Sequence, residues 1–364
     1  MYKQPWRLVQ NRIRGNGGRE IDKFRGIEPP VDDNSGSESW VGSDTRVAIP
    51  PEGKPNYGCA EVIRPDGERM FLFEAIAQAP EQMLGSTHLA KNGQSLGVLI
   101  KFLDAQFQYS LQCHPTRPCA KALWDSDYGK EESWYVLGTR DDTAEPAYIL
   151  LGFKEGVTPE AWAEAYRAED IKKLESMCHK VYIQPGDVFF VGGGVPHAVG
   201  EGCFVIEVQE PSDITVSVYT APVRHRMKGW PEPTEEYIKV YDERFMNAFV
   251  FDACSEEENL RRWKIAPSLL RSGDGWREEI MIGPAQTEYF SFTRLTVENG
   301  AAPLRNTGFM QVAIVVDGEG TLNYEGGSLP LKKGDELFFP YGLASASVSG
   351  SVTVILCHPE GVTY

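Results

Sequence analysis

The sequence predicts an all-β protein built from two jelly-roll β-barrels, with one small helical insertion in the first barrel. Short runs of β-forming residues recur along the chain between glycine-containing turns, which is typical of barrels and jelly rolls. The segment PGDVFF at residues 185–190 recurs as KGDELFFP at residues 333–340, and such an internal repeat indicates two related units. The chain has 364 residues, which is enough for two domains.

The strands are predicted from runs of aliphatic, aromatic and β-branched residues that turn signals separate. In the first unit the runs cover residues 98–103, 107–114, 132–136, 148–153, 188–191 and 203–209, and a further run begins at residue 180. In the second unit they cover residues 290–297, 311–316, 321–324, 336–340 and 351–357.

One segment of the first unit has the pattern of a helix. Thr158, Pro159 and Glu160 are suited to be the N-cap, the first helical residue and an acid in the first turn. Apolar residues then follow at roughly helical spacing as far as Met177. We therefore predict a helical insertion over about residues 158–178 that packs on the outside of the first barrel.

The composition excludes several classes of partner. The formal net charge is -16, and an acidic surface repels nucleic acid and anionic membrane. A phosphorylated ligand would need a local cluster of cations. The seven cysteines are scattered without a CxxC motif, as in a reduced cytoplasmic protein. The N-terminal segment has no apolar core of a signal peptide, and no apolar run reaches the ~20 residues that span a bilayer.

Four residues of the first unit have side chains suited to hold a metal. Gln112 and His114 are two apart on a predicted strand, so their side chains point to the same face. Glu132 begins the next strand, and His197 follows a run of three glycines that allows close approach of the backbone. Histidine and glutamate are ordinary ligands of divalent metals, whereas glutamine is unusual. The residue types alone leave a shared metal site and separate structural roles equally open.

The segment that ends at His197 resembles a known motif. Gly186 and Asp187, followed by Gly194 and His197, are similar to the second cupin motif, with Gly192 where a proline is usual. The fold that this resemblance implies is a cupin barrel in each unit.

A more specific resemblance is to class I mannose-6-phosphate isomerases, also called phosphomannose isomerases. It extends over about residues 38–213, and the C-terminal unit is similar only in its cupin pattern. The matching stretches, in family order, are ESW at 38–40, GVLIKFLD at 97–104, SLQCHP at 110–115, GKEESWYVL at 129–137, and PGD at 185–187 through Pro196 and His197.

This resemblance implies a division of the chain and a set of site residues. Residues 1–232 are expected to form the catalytic lobe and residues 233–364 a metal-free lobe, because Ser345 stands where the first repeat has its histidine. One zinc ion, or another divalent metal, is expected to be bound by Gln112, His114, Glu132 and His197. The sugar-phosphate pocket is expected to be lined by Lys101, Ser110, Lys130 and Glu207.

The activity that the resemblance implies is interconversion of mannose 6-phosphate and fructose 6-phosphate through an enediol. Such a reaction needs a Lewis acid at the carbonyl and a group that takes and returns a proton. Lys130 and Glu207 are the expected proton carriers. Two alternatives stay open: an isomerase or epimerase of a different, unphosphorylated sugar, and a non-catalytic cupin that holds a metal and binds a sugar. The glutamine and the isomerase motifs argue against a cupin oxygenase.

The sequence departs from the family at one expected catalytic residue. An arginine is expected at or near Ser217, and the next arginines are Arg224 and Arg226. If a phosphate is recognised, we expect Lys101 and Ser110 to contribute and Arg224 or Arg226 to replace the missing cation. The alternative is that this basic run is a solvated loop between the two lobes.

Overall fold

The computed structural model of the chain describes residues 1–219, 234–343 and 345–364. Its secondary structure is mostly β, with 36% strand and 20% helix. The strands are β1 Trp6–Leu8, β2 Arg12–Ile13, β3 Glu38–Val41, β4 Glu61–Ile63, β5 Arg69–Phe71, β6 Leu99–Asp104, β7 Gln112–Cys113, β8 Glu132–Thr139, β9 Tyr148–Phe153, β10 Cys178–Tyr182, β11 Val188–Val191, β12 His197–Val199, β13 Cys203–Gln209, β14 Val216–Ser217, β15 Ser268–Gly273, β16 Trp276–Ile282, β17 Phe290–Pro303, β18 Gln311–Tyr324, β19 Gly327–Lys332, β20 Glu336–Phe339 and β21 Ala346–Pro359. The helices of the described part are α1 Arg19–Phe24, α2 Leu72–Gln78, α3 Pro80–Leu84, α4 Ser86–Asn92, α5 Arg117–Trp124, α6 Pro159–Arg167, α7 Ile171–Ser176, α8 Glu235–Ala248 and α9 Glu256–Trp263.

The strands form three sheets. One has six strands in the order β11-β8-β13-β6-β3-β2, and one has five in the order β10-β9-β12-β7-β14. The third contains β15 to β21 together with β1, β4 and β5. The N-terminal strand β1 thus pairs with β20, far along the chain.

The six-stranded sheet is buried on both faces. Val136 and Val205 lie on one face and share an apolar cluster with Ile149 and Val199 of the five-stranded sheet. Residues of the opposite face, such as Phe102 and Ile206, pack against Val312 and Phe338 of the ten-stranded sheet. Alternation of side chains along each strand sends successive residues to these two clusters. The six-stranded sheet is therefore the central layer, and its inner face can bury polar groups away from water.

The sequence repeat has the same backbone structure in both copies. Gly186 and Gly334 have positive φ angles of 94° and 89°, a conformation that glycine adopts without steric cost. The carboxylate of Asp187 accepts a hydrogen bond from the backbone N–H three residues earlier at 3.2 Å, and Asp335 does the same at 3.0 Å. The turn is therefore repeated as well as the sequence, and a strand follows it in each case.

The helical insertion lies where the sequence predicts it. The Thr158 hydroxyl accepts a hydrogen bond from the N–H of Ala161, as an N-cap does. Two helices, α6 and α7, replace the single predicted run, because Glu169 between them has a positive φ of 53°. Trp162 and Leu174 are fully buried against Phe153, so the helices pack on the five-stranded sheet.

Helix content is larger than the sequence analysis predicted. Helices α1 to α5, α8 and α9 were not expected. The predicted lobe boundary between residues 232 and 233 lies outside the described residues, as do Arg224 and Arg226, so these predictions stay untested. Among the described helices there is no segment long and apolar enough to cross a membrane.

A buried ionic cluster fixes the N-terminal segment to the central sheet. Asp104 at the end of β6 is fully buried. Its carboxylate accepts hydrogen bonds from the backbone N–H groups of Gly18 and Glu20 at 3.0 and 2.8 Å, and from Arg140 at 2.7 Å. Arg140 also pairs with Asp33 at 2.7 Å. Asp104 thereby determines the course of the chain that follows β2.

Asp104→Ala is expected to lower the free energy of unfolding by about 3–5 kcal/mol, because it leaves a buried arginine with one partner fewer. The measurement is urea denaturation followed by circular dichroism. The control is Glu145→Ala. Its pairing with Lys180 at 2.6 Å leaves both side chains more than a third exposed, so its loss is expected to cost at most about 1 kcal/mol. Equal effects of the two substitutions would contradict the anchoring role.

Candidate metal centre

Three buried side chains converge on one point between the sheets. The possible ligand atoms of His114, Glu132 and His197 all lie within 4.8 Å of one another. The Glu132 carboxylate is central, with Oε2 3.1 Å from His114 Nε2 and Oε1 3.2 Å from His197 Nε2. Each side chain is at most 1% exposed. The structure therefore brings together three of the four metal ligands that the resemblance implies.

The backbone orients both imidazole rings towards this point. His114 Nδ1 is 2.8 Å from the carbonyl oxygen of Ile214, and His197 Nδ1 is 2.9 Å from that of Val195. Each Nδ1 therefore donates its proton to a carbonyl, which leaves the lone pair of Nε2 facing inward. His197 Nε2 has no hydrogen-bond partner in the described part of the chain. A buried nitrogen in this state is suited to bind a metal ion.

The rings are also neutral, as metal binding requires. Burial, followed by the charge of Lys130, lowers the pKa of His114 to about 3. Burial likewise lowers the pKa of His197. For Glu132, burial alone would raise the pKa, but the positive charge of Lys130 and the contacts with the two histidines outweigh burial and hold the pKa well below its usual range. Two neutral imidazoles and a carboxylate thus fit a divalent cation.

Lys130 lies directly beside these donor atoms. Its Nζ is 2.6 Å from His114 Nε2 and 2.8 Å from Glu132 Oε2. The side chain is 4% exposed, so this lysine is not the solvated turn residue that its position after Gly129 would suggest. The contacts place the side-chain nitrogen of Lys130 within proton-transfer distance of His114 and Glu132.

Gln112 is adjacent to the three donors. It lies opposite His197 in the β7–β12 ladder, and its Nε2 is 3.5 Å from His114 Nε2. Its Oε1 is 3.5 Å from the Ser110 hydroxyl. A half-turn of the amide group would exchange the two atoms and direct the oxygen towards the histidines. Cys113 between them packs in the core on the opposite face, as the alternation predicts.

A row of four residues crosses the inner face of the central sheet beside this centre. Trp134, Glu207, Lys101 and Trp40 are directly opposed on β8, β13, β6 and β3. The Trp134 indole N–H donates to Glu207 at 3.1 Å. Lys101 Nζ is 2.9 Å from the other Glu207 oxygen and 5.0 Å from the centre of a Trp40 ring. Register alone therefore pairs Glu207 with Lys101.

A cleft of about 590 Å³ opens over this row. Six of the predicted site residues line it, namely Lys101, Ser110, Gln112, Lys130, Glu132 and Glu207. His114 and His197 contact Glu132 but are not among the residues that line the cleft. Ser217, the position of the missing family arginine, is fully buried opposite Gln112 and is not among the lining residues.

Three further charged residues of the cleft were missed by the sequence analysis. Arg14, just after β2, has its guanidinium 2.6 Å from Glu38 and 3.3 Å from Asp213. Glu38 also accepts a hydrogen bond from the Trp40 indole at 2.9 Å. The segment at residues 38–40 resembles the isomerase family, but the resemblance assigned no role to Glu38. The available signal for Arg14 was its place before the glycine-rich run at 15–18.

Comparison with known proteins gives a consistent result. A family model described as mannose-6-phosphate isomerase, cupin domain, matches residues 282–359. Mannose-6-phosphate isomerase ManA of Bacillus subtilis (strain 168) is 25% identical over 266 residues, which are 73% of this chain and 76% of that protein.

Two solved structures have the same fold over nearly the whole chain. The crystal structure of a mannose 6-phosphate isomerase from Bacillus subtilis has a TM-score of 0.73 at 24% identity, covering 97% of this chain and 99% of that one. A zinc-bound mannose 6-phosphate isomerase has a TM-score of 0.74 at 16% identity, covering 98% and 99%.

We expect zinc-loaded protein to contain about one zinc ion per chain by elemental analysis. His114→Ala and His197→Ala should each lose it, because each removes one of few ligands. Zinc at 100 times its dissociation constant should stabilise the wild type by about 2.7 kcal/mol, and these variants much less. His179→Ala is the matched control, since its ring contacts the Cys254 carbonyl outside the group. Equal zinc in all three variants would show that the ligands lie elsewhere.

Proposed function

We propose that the chain, which is similar to class I mannose-6-phosphate isomerases of the cupin superfamily, interconverts mannose 6-phosphate and fructose 6-phosphate. The observation that supports this most is the convergence of a group of metal-ligand side chains and two acid–base residues, Lys130 and Glu207, in one cleft. Lys130 contacts the donor atoms directly, and Glu207 lies on the adjacent strand.

We propose that this centre holds one zinc ion per chain, which Gln112, His114, Glu132 and His197 would bind. When bound, it supplies a Lewis acid that polarises the substrate carbonyl and stabilises the charge of the enediolate. The donor set of imidazole nitrogens and oxygens is common for catalytic zinc.

The two acid–base residues divide the proton transfers of the isomerisation. Starting from the open-chain aldose, the Glu207 carboxylate removes the proton from C2, and the electrons of that bond form the C1–C2 double bond. Lys130 Nζ donates a proton to O1 and accepts the one from O2. Glu207 then returns its proton to C1, which leaves a ketone at C2. No external oxidant or reductant is needed.

The surroundings hold Glu207 in the orientation that this role requires. Trp134 and Lys101 each contact one of its two oxygens, so the carboxylate cannot rotate freely. Burial lowers the pKa of Lys101, but Glu207, Glu38 and Asp213 outweigh this and raise it overall. Lys101 therefore stays an ammonium, and together with Ser110 it is the proposed contact for the sugar.

The proposal includes a metal-free C-terminal cupin lobe. The cluster inside its strands is apolar, with Leu295, Val315 and Leu337 fully buried. Such side chains offer no metal ligands, and the lobe covers the central sheet instead.

Zinc-loaded protein is expected to convert mannose 6-phosphate to fructose 6-phosphate and, in heavy water, to place deuterium at C1 or C2. Glu207→Gln and Lys130→Ala should each lower kcat by about 10²-fold or more, as expected for loss of an acid–base group. The controls are Glu145→Gln and Lys180→Ala, which disrupt an exposed pair and should leave kcat unchanged. Full activity of both site variants would refute these roles. If the protein converted free mannose but not mannose 6-phosphate, the proposed substrate would be wrong.

A further inference from the structure

We propose that Arg14 binds the anionic group of the substrate at the end of the cleft opposite the metal centre. This inference rests on the proposed function and names a specificity-determining residue for it. Arg14 lines the same cleft as Lys130 and Glu132, and three properties of its position support the assignment.

The first property is its place in the sheet. Glu132 begins β8, and Arg14 follows β2, with β13, β6 and β3 between them. At ~4.8 Å per strand, the backbones of β8 and β2 are roughly 19 Å apart. The contact of the guanidinium with Glu38 on β3 directs the side chain back over the cleft. A sugar with its carbonyl at one end and a phosphate at the other can therefore extend between the two groups.

The second property is accessibility. Lys101 and Lys130, the other described cations that line the cleft, are each 4% exposed and lie within 2.9 Å of a carboxylate. The Arg14 side chain is 47% exposed. Glu38 holds it by a short contact at 2.6 Å, while the contacts with Asp213 are long, at 3.3 and 3.4 Å. Phosphate oxygens can replace Asp213 on the second nitrogen and form the paired hydrogen bonds that guanidinium favours.

The third property is the backbone. Arg14 has a φ of 61°, a left-handed conformation that is unfavourable for a residue with a side chain and is concentrated at functional sites. Neighbouring groups maintain it: the Arg14 N–H donates to the Tyr57 hydroxyl at 3.0 Å. Gly36 packs so closely that an added Cβ would lie 2.9 Å from the Arg14 carbonyl oxygen. The fold therefore fixes the direction of this side chain.

The test compares Arg14→Gln with Arg7→Gln in zinc-loaded protein. Arg7 is the matched control, because its side chain is 42% exposed and pairs with Asp335 at 3.0 Å outside the cleft. Arg14→Gln is expected to raise KM for mannose 6-phosphate by about 10- to 100-fold with little change in kcat. The inhibition constant of inorganic phosphate should rise by a similar factor. Arg7→Gln should match the wild type in both measurements.

An unchanged KM and inhibition constant in Arg14→Gln would overturn the proposal. So would the full effect in Arg224→Gln or Arg226→Gln with none in Arg14→Gln. Should Arg14→Gln fail to fold by circular dichroism, Arg14→Lys keeps the pair with Glu38 but cannot form paired hydrogen bonds. Its KM should rise several-fold, and an unchanged KM in that variant would overturn the proposal.

Calorimetric binding of mannose 6-phosphate separates this inference from the proposed function, because binding needs no turnover. If the wild type binds mannose 6-phosphate but does not isomerise it, the proposed function fails. Loss of that binding in Arg14→Gln would still support the anion-binding role. Equal binding in both proteins, or none in the wild type, would overturn it.

Discussion

Burial of charged side chains on the inner face of the central sheet is the constraint from which the rest of the site follows. Lys101, Lys130, Glu132 and Glu207 are each no more than 5% exposed, and an unpaired charge in such a place costs several kcal/mol. Strand register meets this requirement by placing Glu207 directly opposite Lys101. The same pairing fixes the orientation of these groups before any ligand arrives, which is the condition for electrostatic catalysis.

The sheet that carries the charged row is covered on both faces by apolar clusters. The five-stranded sheet covers the inner face, and the strands of the ten-stranded sheet cover the outer one. The C-terminal strands therefore contribute to the site without touching it. Strand β1 joins this outer layer to the N-terminal segment, which Asp104 anchors beside the cleft. Arg14 lies in that segment, so its position depends on the six-stranded and the ten-stranded sheets.

The sequence predicted what depends on local periodicity and missed what depends on distant pairing. Alternation along one strand is a local property, and it correctly placed Gln112 and Cys113 on opposite faces. The helix signal at Thr158 was likewise local, and helix α6 begins directly after it at Pro159. Arg14 reaches the cleft only because β2 pairs with β3, which no short-range pattern indicates. The resemblance to mannose-6-phosphate isomerases is confirmed by the comparisons, although the family model matches residues 282–359, where only a repeat was visible.

The charge balance of the cleft connects the metal to substrate recognition. The described residues that line it include three cations and four carboxylates, namely Arg14, Lys101, Lys130, Glu38, Glu132, Glu207 and Asp213. The protein alone therefore presents a net negative charge, which adds to the acidic surface and repels a phosphate. A divalent ion reverses the sign of that balance. The buried cations Lys101 and Lys130 are each paired with a carboxylate. Attraction of an anionic sugar therefore depends on two other groups, namely a metal ion at one end of the cleft and the partly exposed Arg14 at the other.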